Sequence, residues 1–594
     1  MAPAGYERLG PQGAASSTHY LGTATAMAVL ARGGNAFDAA VAAGFVLQVV
    51  EPHLCGPGGE VPAVFVTASD PTPRVLCGQG VLPAAATVSR LRDELGLSMV
   101  PGTGLLAATV PGAWDGWLTL LRDHGTLRLA EALEPALGYA AGGFPLVPRI
   151  PATIDAVAGH FRSHWPSSAA TWLPDGRTPR TSHRLPGLAA TWTRLLEIAA
   201  RAGASRERQL DAARDAWYRG FVAEEIDTFG RTPVRDETGR AHAGLLTADD
   251  LAGWSASYEP ALVAAAGAGW AVAKPGPWSQ GPVLAQHLAL LLDGDVRYRD
   301  GVATAETVHR VTEAAKLAFA DREAWYGDSA PVPLPALLSA AYTARRRELI
   351  TDTASLELRP GAPDGLEPRL PDHVRRSDAG RERPTGPGLG EPTVDRSGAV
   401  SGDTVHIDVV DAAGNMISAT PSGGWLQSSP TIPALGFCLG TRAQMCWLEP
   451  GLPASLVPGR RPRTTLSPSL GLRHGEPRLA FGTPGGDQQD QWQLCFWLAH
   501  TVGGLDLQAA IDAPTWHSTA FPASFAPRNW EPGGLVAESR LGAATLAELR
   551  RRGHRVTDAG PWALGRRCAV GRGDGPLLRA AADRRSGVGS AAAY

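Results

Sequence analysis

The residue with the most chemistry open to it is Thr404. It begins the run Thr404-Val-His-Ile-Asp-Val-Val410, rich in β-branched residues and read as a strand. Before it, residues 358–402 are rich in Pro, Gly and charge and poor in large apolar side chains, so they read as a mobile connector. A threonine hydroxyl is a poor nucleophile near neutrality and needs a base. Cutting the Asp403–Thr404 bond would free the residue's own α-amine, whose ordinary pKa of about 7.7–8.0 lets it accept the hydroxyl proton. Many threonines begin strands without doing chemistry, and that is the plain alternative.

Acyl chemistry also needs donors for a developing oxyanion. Gly482-Thr-Pro-Gly485-Gly486-Asp487 lies between an expected strand at 477–481 and an expected helix from 489, where glycine-turn N–H groups are preorganised for negative charge. A third segment, Arg461-Pro-Arg463-Thr464-Thr465-Leu-Ser467-Pro468, offers adjacent hydroxyls for a substrate carboxylate, or simply for capping its own loop.

These residues need a frame. Residues 22–50 read as helical with a break at Gly33-Gly34-Asn35, and 38–50 is apolar on nearly every face, as a buried helix would be. A glycine loop, Cys55-Gly-Pro-Gly-Gly-Glu60, precedes a strand at 61–67, and helices dominate residues 89–350, including 129–141 and 306–326. The run from Thr404, the turn at 412–415 and a strand at 416–420 form a hairpin, and 489–500 reads as a helix.

Taken in order, the motifs resemble the gamma-glutamyltransferase (glutathione hydrolase) family from about Thr18 to near the C-terminus. The matches are Ala31-Arg-Gly-Gly-Asn-Ala-Phe-Asp-Ala-Ala-Val41, Glu51-Pro52 with Gly56-Pro-Gly-Gly59, Val110-Pro-Gly112, and Glu313-Ala-Ala-Lys-Leu-Ala-Phe-Ala-Asp-Arg322 with Tyr326-Gly-Asp328. They continue with the strand from Thr404 through Asp411, Gly414-Asn415, Arg461-Pro462, Ser467-Pro468 and Thr483-Pro-Gly-Gly486. The resemblance implies an α/β, four-layer αββα sandwich of the N-terminal-nucleophile type. It also implies autocleavage at Asp403–Thr404 into a large subunit (1–403) and a small one (404–594) that stay together, with a dimer of such pairs as a further option. It carries over Thr404 as nucleophile, Gly485 and Gly486 as oxyanion hole, Ser422 as supporting hydroxyl, and Thr464 and Thr465 in place of a serine pair that binds the substrate carboxylate.

Departures concern the substrate. Gln79 stands where the family places a carboxylate-binding arginine. The Asn-Gln-x-Asp element for the substrate's α-amino group appears as Gly440-Thr-Arg442-Ala-Gln444-Met445, so an acidic anchor is lost and a cation gained. Asp408 or Asp487 could replace it, and a short stretch before Arg461 implies a missing lid. Three readings follow: a γ-glutamyl hydrolase or acyltransferase; the same fold and nucleophile on another substrate, as in an acylase-like amidase or a C–C hydrolase of specialised metabolism; and a non-catalytic scaffold.

The bulk composition narrows the partners. The chain has 594 residues, and a net charge of -3 leaves no footprint for nucleic acid or an acidic membrane, so a small-molecule substrate is expected. No apolar run is long enough to span a membrane, and the N-terminus lacks an export pattern, which points to the cytoplasm. Six cysteines without CxxC spacing and fifteen histidines without paired ligand spacing point to no metal and no cofactor. His406 shares a strand face with Thr404 and reads as a satisfied core histidine or, as a minor option, a residue that tunes the site.

Overall fold

The β-branched run after Thr404 forms the strand Ile407–Asp411, three residues later than the sequence predicts, because Thr404 itself makes only an isolated antiparallel bridge to Ser422. The strand turns back on Met416–Ala419 as the predicted hairpin. Asp411 sets that turn: its Oδ1 accepts the N–H groups of Gly414 and Asn415, both at 3.0 Å, and Gly414 adopts φ 103°, a conformation that favours glycine. These details belong to a computed structural model that describes residues 5–291, 296–376, 404–526, 528–573 and 575–594.

The hairpin sits at the middle of one of two seven-stranded antiparallel sheets among the described residues. Its order is Ser590–Ala593, Gly13–Ser17, Ile407–Asp411, Met416–Ala419, Val61–Val66, Arg74–Gly78 and Ser257–Pro260. The other runs Arg8–Gly10, Leu578–Ala582, Cys568–Arg572, Glu476–Gly482, Ser469–Arg473, Trp270–Lys274 and Leu262–Ala265. Alternate residues of each point inward, so Val64, Val66 and Val75 meet Leu470, Leu472, Ala480 and Val570 between the sheets.

Helices cover both outer faces. On the hairpin side lie Tyr20–Ala31 and Ala36–Val50, the latter buried at every position as its sequence predicts. Asn35 caps it, accepting the N–H of Phe37 at 2.9 Å and of Asp38 at 3.0 Å, while Asp411 Oδ2 accepts the N–H of Ala36 at 2.9 Å. A helix N-terminus thereby docks on an acid of the hairpin turn, which its dipole favours. The opposite face carries Gly281–Leu291, Ala305–Trp325 and Gln489–Thr501. The result is the four-layer αββα arrangement.

The expected connector at 358–402 is anchored over its first part. Gly361 accepts a bond from Trp325 Nε1 at 2.9 Å and donates its N–H to Asp321 at 2.7 Å, and Val374 packs with Trp447 and Leu452. Scattered apolar residues (Leu358, Leu370, Val374) inside a polar sequence find a groove. Residues 377–403, with Asp403, lie outside the described residues.

Candidate active site

Thr404 is completely buried, and its Oγ1 lies 3.2 Å from Ser422 Oγ across the strand bridge. Ser422 in turn accepts a bond from Arg442 Nη2 at 3.0 Å. The guanidinium of Arg442 is then clamped by Glu60: Nε donates to Oε1 at 2.7 Å and Nη2 pairs with the same carboxylate. Burial pushes the Glu60 carboxyl above its usual range, with Arg442 pulling the other way. Two close guanidinium contacts on one carboxylate oxygen nevertheless describe an ion pair. Arg442, expected as a cation for substrate, is therefore neutralised by an acid 382 positions away in sequence.

The glycine loop at 56–59 makes this junction possible. It packs on the backbone of 422–424 rather than on a ligand: a Cβ on Gly59 would lie 2.0 Å from Ser422 O, and one on Gly56 2.4 Å from Gly424 O. Glu60 and Ser422 exchange backbone hydrogen bonds at 2.9 and 3.0 Å, which brings the carboxylate to Arg442.

Gly485 and Gly486 form the turn between Glu476–Gly482 and the helix Gln489–Thr501, both in left-handed conformations with φ 124° and 53°. The end of the strand abuts the hairpin of the other sheet, since a Cβ on Gly482 would strike the ring of His406 at 2.2 Å. Asp487, next in the chain, is held by Arg322 and by Ser524, whose N–H and hydroxyl donate at 2.8 and 2.6 Å. Gln280 accepts from Arg322 at 2.6 Å and donates to Gly486 O at 3.4 Å and Asp490 at 3.2 Å. A buried Lys274–Asp490 pair at 3.1 Å lies behind, with Ser467 donating to Asp490 at 2.7 Å. Such a buried hydrogen-bond network fixes the turn before any substrate arrives.

The remaining expected residues sit nearby with unequal engagement. Thr464 donates its N–H to Trp278 O at 2.9 Å, and its hydroxyl accepts from Leu466 N at 3.3 Å. Thr465 Oγ1 and both amide atoms of Gln79 are buried with no hydrogen-bond partner among the described residues. Leu82 N donates to Arg460 O at 2.9 Å, which ties the Gln79 segment to the Thr464–Thr465 segment. Gln444 Nε2 donates to Gly102 O and Thr441 Oγ1 at 3.3 and 3.1 Å. His406 is satisfied by Thr420 Oγ1 and Asp408 Oδ1, each at 2.9 Å, and Asp487 is engaged by Arg322, whereas Asp408 Oδ2 is buried with no hydrogen-bond partner among the described residues.

One grouping escapes any reading of spacing. His309, Glu313 and His554 come within ligand reach of one another. His309 Nδ1 meets His554 Nε2 at 2.8 Å and Nε2 meets Thr351 O at 2.7 Å, while Glu313 is bound by Lys316 and, at 3.3 Å, by Arg359. Two cations on the one carboxylate oppose a third, so the group reads as a hydrogen-bonded histidine pair. Among the described residues, no helix is long and apolar enough to cross a membrane.

Comparison with known proteins fits this geometry. The oxamate amidohydrolase proenzyme of Klebsiella pneumoniae subsp. pneumoniae is 30% identical over 98% of this chain and 98% of its own. A solved structure described as LmbA2991HD is 54% identical with TM-score 0.93 over the whole of both chains. The cephalosporin acylase of Bacillus halodurans is 25% identical with TM-score 0.82, over 100% of this chain and 98% of that one. The gamma-glutamyltranspeptidase family model matches residues 22–594. A match of that extent, on a sandwich of this layering, shows that the chain belongs to the gamma-glutamyltranspeptidase family and is an enzyme of that type.

Proposed function

We propose that the chain cuts itself between Asp403 and Thr404 and then uses Thr404 as an N-terminal nucleophile for acyl transfer to water or an amine. The observation that carries this reading is the 3.2 Å approach of Thr404 Oγ1 to Ser422 Oγ, with Ser422 itself fixed by Arg442. Thr404 Oγ attacks the acyl carbonyl as its proton passes to the new α-amine. The N–H groups of Gly485 and Gly486 hold the oxyanion, and the leaving amine departs with that proton. Water then adds to the Thr404 ester and releases the acid. The two fragments, 1–403 and 404–594, stay associated. The cysteines are free and buried, as a reducing cytoplasm would keep them.

Within that chemistry, a substrate other than a γ-glutamyl compound is favoured. A γ-glutamyl head carries an ammonium that needs an acid, and an unpaired buried charge costs several kcal/mol. Glu60 and Asp487 are already paired with Arg442 and Arg322, and burial pushes the Asp408 carboxyl above its usual range, against the anion an ammonium needs. Relatives named for oxamate and cephalosporin chemistry support that preference.

A denaturing gel with N-terminal sequencing tests the proposal. Dividing 62.1 kDa in proportion to 403 and 191 residues predicts fragments of about 42 and 20 kDa, the smaller beginning at Thr404. Thr404→Ala should remain one inert band. Cleavage or turnover in that variant refutes the nucleophile, and rapid release from γ-glutamyl-p-nitroanilide refutes the substrate preference.

A further inference from the structure

Arg528 is 1% exposed, and no ion pair reaches it among the described residues. Its Nη2 donates to the backbone oxygens of Gln444 at 2.6 Å and Cys446 at 2.9 Å, and its guanidinium lies 3.7 Å over the ring of Trp447. Nε and Nη1 have no partner among the described residues. The residue is also held at φ 58°, a conformation that side chains other than glycine, Asn or Asp seldom adopt. A buried guanidinium with two idle donors on a strained backbone is costly unless something completes it.

Its neighbours sharpen the point. Glu323, the acid that acts on it most strongly, is committed elsewhere, to Arg463 Nη2 at 3.0 Å and Trp447 Nε1 at 2.8 Å. Burial works against ionisation of Glu323, but Arg463, Arg322 and Arg528 together outweigh it and hold the carboxyl below its usual range. Arg322 and Arg463 answer to Asp487 and Glu323. Three guanidinium groups therefore face two carboxylates, and the cluster keeps one buried positive charge. Burial, with the other arginines, lowers Arg528 to about 10, so it remains charged at neutral pH.

The loop that carries Arg528 spans the proposed site. Pro522 O accepts from Arg322 at 2.8 Å, and Ser524 binds Asp487 beside the Gly485–Gly486 turn. Phe525 packs with Trp425 and Met445, and Arg442, which holds Ser422, lies 5.4 Å over the Trp425 ring. One end thus touches the oxyanion turn, and the other places Arg528 on the Gln444–Trp447 segment.

We propose that Arg528 is the anion anchor of the substrate pocket, so that the acyl donor carries a carboxylate, without an accompanying ammonium, that seats on Nη1. The unpartnered Gln79 amide and Thr465 hydroxyl offer neutral hydrogen bonds to the rest of the donor. The position of this anchor in a reaction rests on Thr404 as nucleophile, but anion binding requires no turnover, so the two ideas fail separately.

Titration calorimetry on the purified, self-processed protein tests it with succinate, glutarate and adipate as probes and glutaramide as the uncharged control. At least one dicarboxylate should bind while glutaramide does not. Arg528→Gln should weaken that dicarboxylate about ten- to a hundredfold, the worth of a charge-assisted contact. Binding should also alter tryptophan emission in the native protein and do so less in Trp447→Phe. Equal affinity for glutarate and glutaramide, no binding of any dicarboxylate, or affinity within twofold of native in Arg528→Gln overturns the proposal. If Arg528→Gln does not fold, the charged-versus-neutral comparison and the Trp447→Phe difference decide the matter alone. A nucleophile other than Thr404 would show instead as cleavage or turnover in Thr404→Ala.

Discussion

Replacing Glu60 with Gln keeps the shape of the side chain but removes the negative charge that Arg442 grips. The pair is buried, both partners being at most 2% exposed. Two unit charges about 4 Å apart in a medium of effective dielectric about 20 attract by about 4 kcal/mol, and breaking a buried pair costs about 3–5 kcal/mol by experience elsewhere. Unfolding entropy of about 2.1 cal/mol/K per residue makes about 1.2 kcal/mol/K over 594 residues, so Glu60→Gln should melt about 3 °C lower. Self-cleavage, followed on gels from freshly made protein, should slow as well, because Arg442 holds Ser422 against Thr404. The decisive comparison is the double variant Glu60→Gln with Arg442→Met, which removes the cation together with its carboxylate and should melt above the single variant. Scans of both at one heating rate give the answer. A double variant no more stable than Glu60→Gln would mean that the carboxylate does not serve to neutralise this arginine.

Two further expectations concern other parts of the molecule. Gly485→Ala would set a Cβ 2.3 Å from the Trp492 ring at φ 124°, so the turn must shift, and kcat should fall about 10²–10³-fold as for a lost oxyanion donor; a loss under threefold contradicts that role. Burial holds the Glu51 carboxyl at about 7, against an ordinary 4.5, with Thr18 and Arg149 opposing. Between those values the folded chain keeps a proton that the unfolded chain has released, so stability falls as pH rises through the window, by up to about 3 kcal/mol. Glu51→Gln should flatten the decline of melting temperature between pH 5 and 7.5, and an unchanged slope counts against it.

The sequence revealed most where local rules govern. The hairpin at 407–419, the break before Ala36 and the buried helix after it follow from β-branching, an Asn cap and unbroken apolarity, and the structure has all three. What it concealed depends on distant pairing. Arg442 reads as a free cation until Glu60, 382 residues away, is brought to it, and His309 meets His554 across 245 residues. Arg528 stands in no motif, and its significance is a missing partner, which only burial and a census of donors expose. Glu60 and Arg322 were visible beside or within the quoted motifs, yet nothing in spacing says what each grips.

The order of strands has a consequence for what a cut at 403–404 could separate. Ile407–Asp411 lies between Gly13–Ser17 and Met416–Ala419, and Met416–Ala419 pairs onward with Val61–Val66. In the second sheet Ser469–Arg473 is zipped to Trp270–Lys274, and Leu578–Ala582 to Arg8–Gly10. Segments from either side of the cut are woven through both sheets, so the nicked molecule would part only by unravelling its centre. Heat would then inactivate it irreversibly, since neither fragment retains a complete sheet on which to rebuild, and endurance would be governed by the rate of opening rather than by an equilibrium.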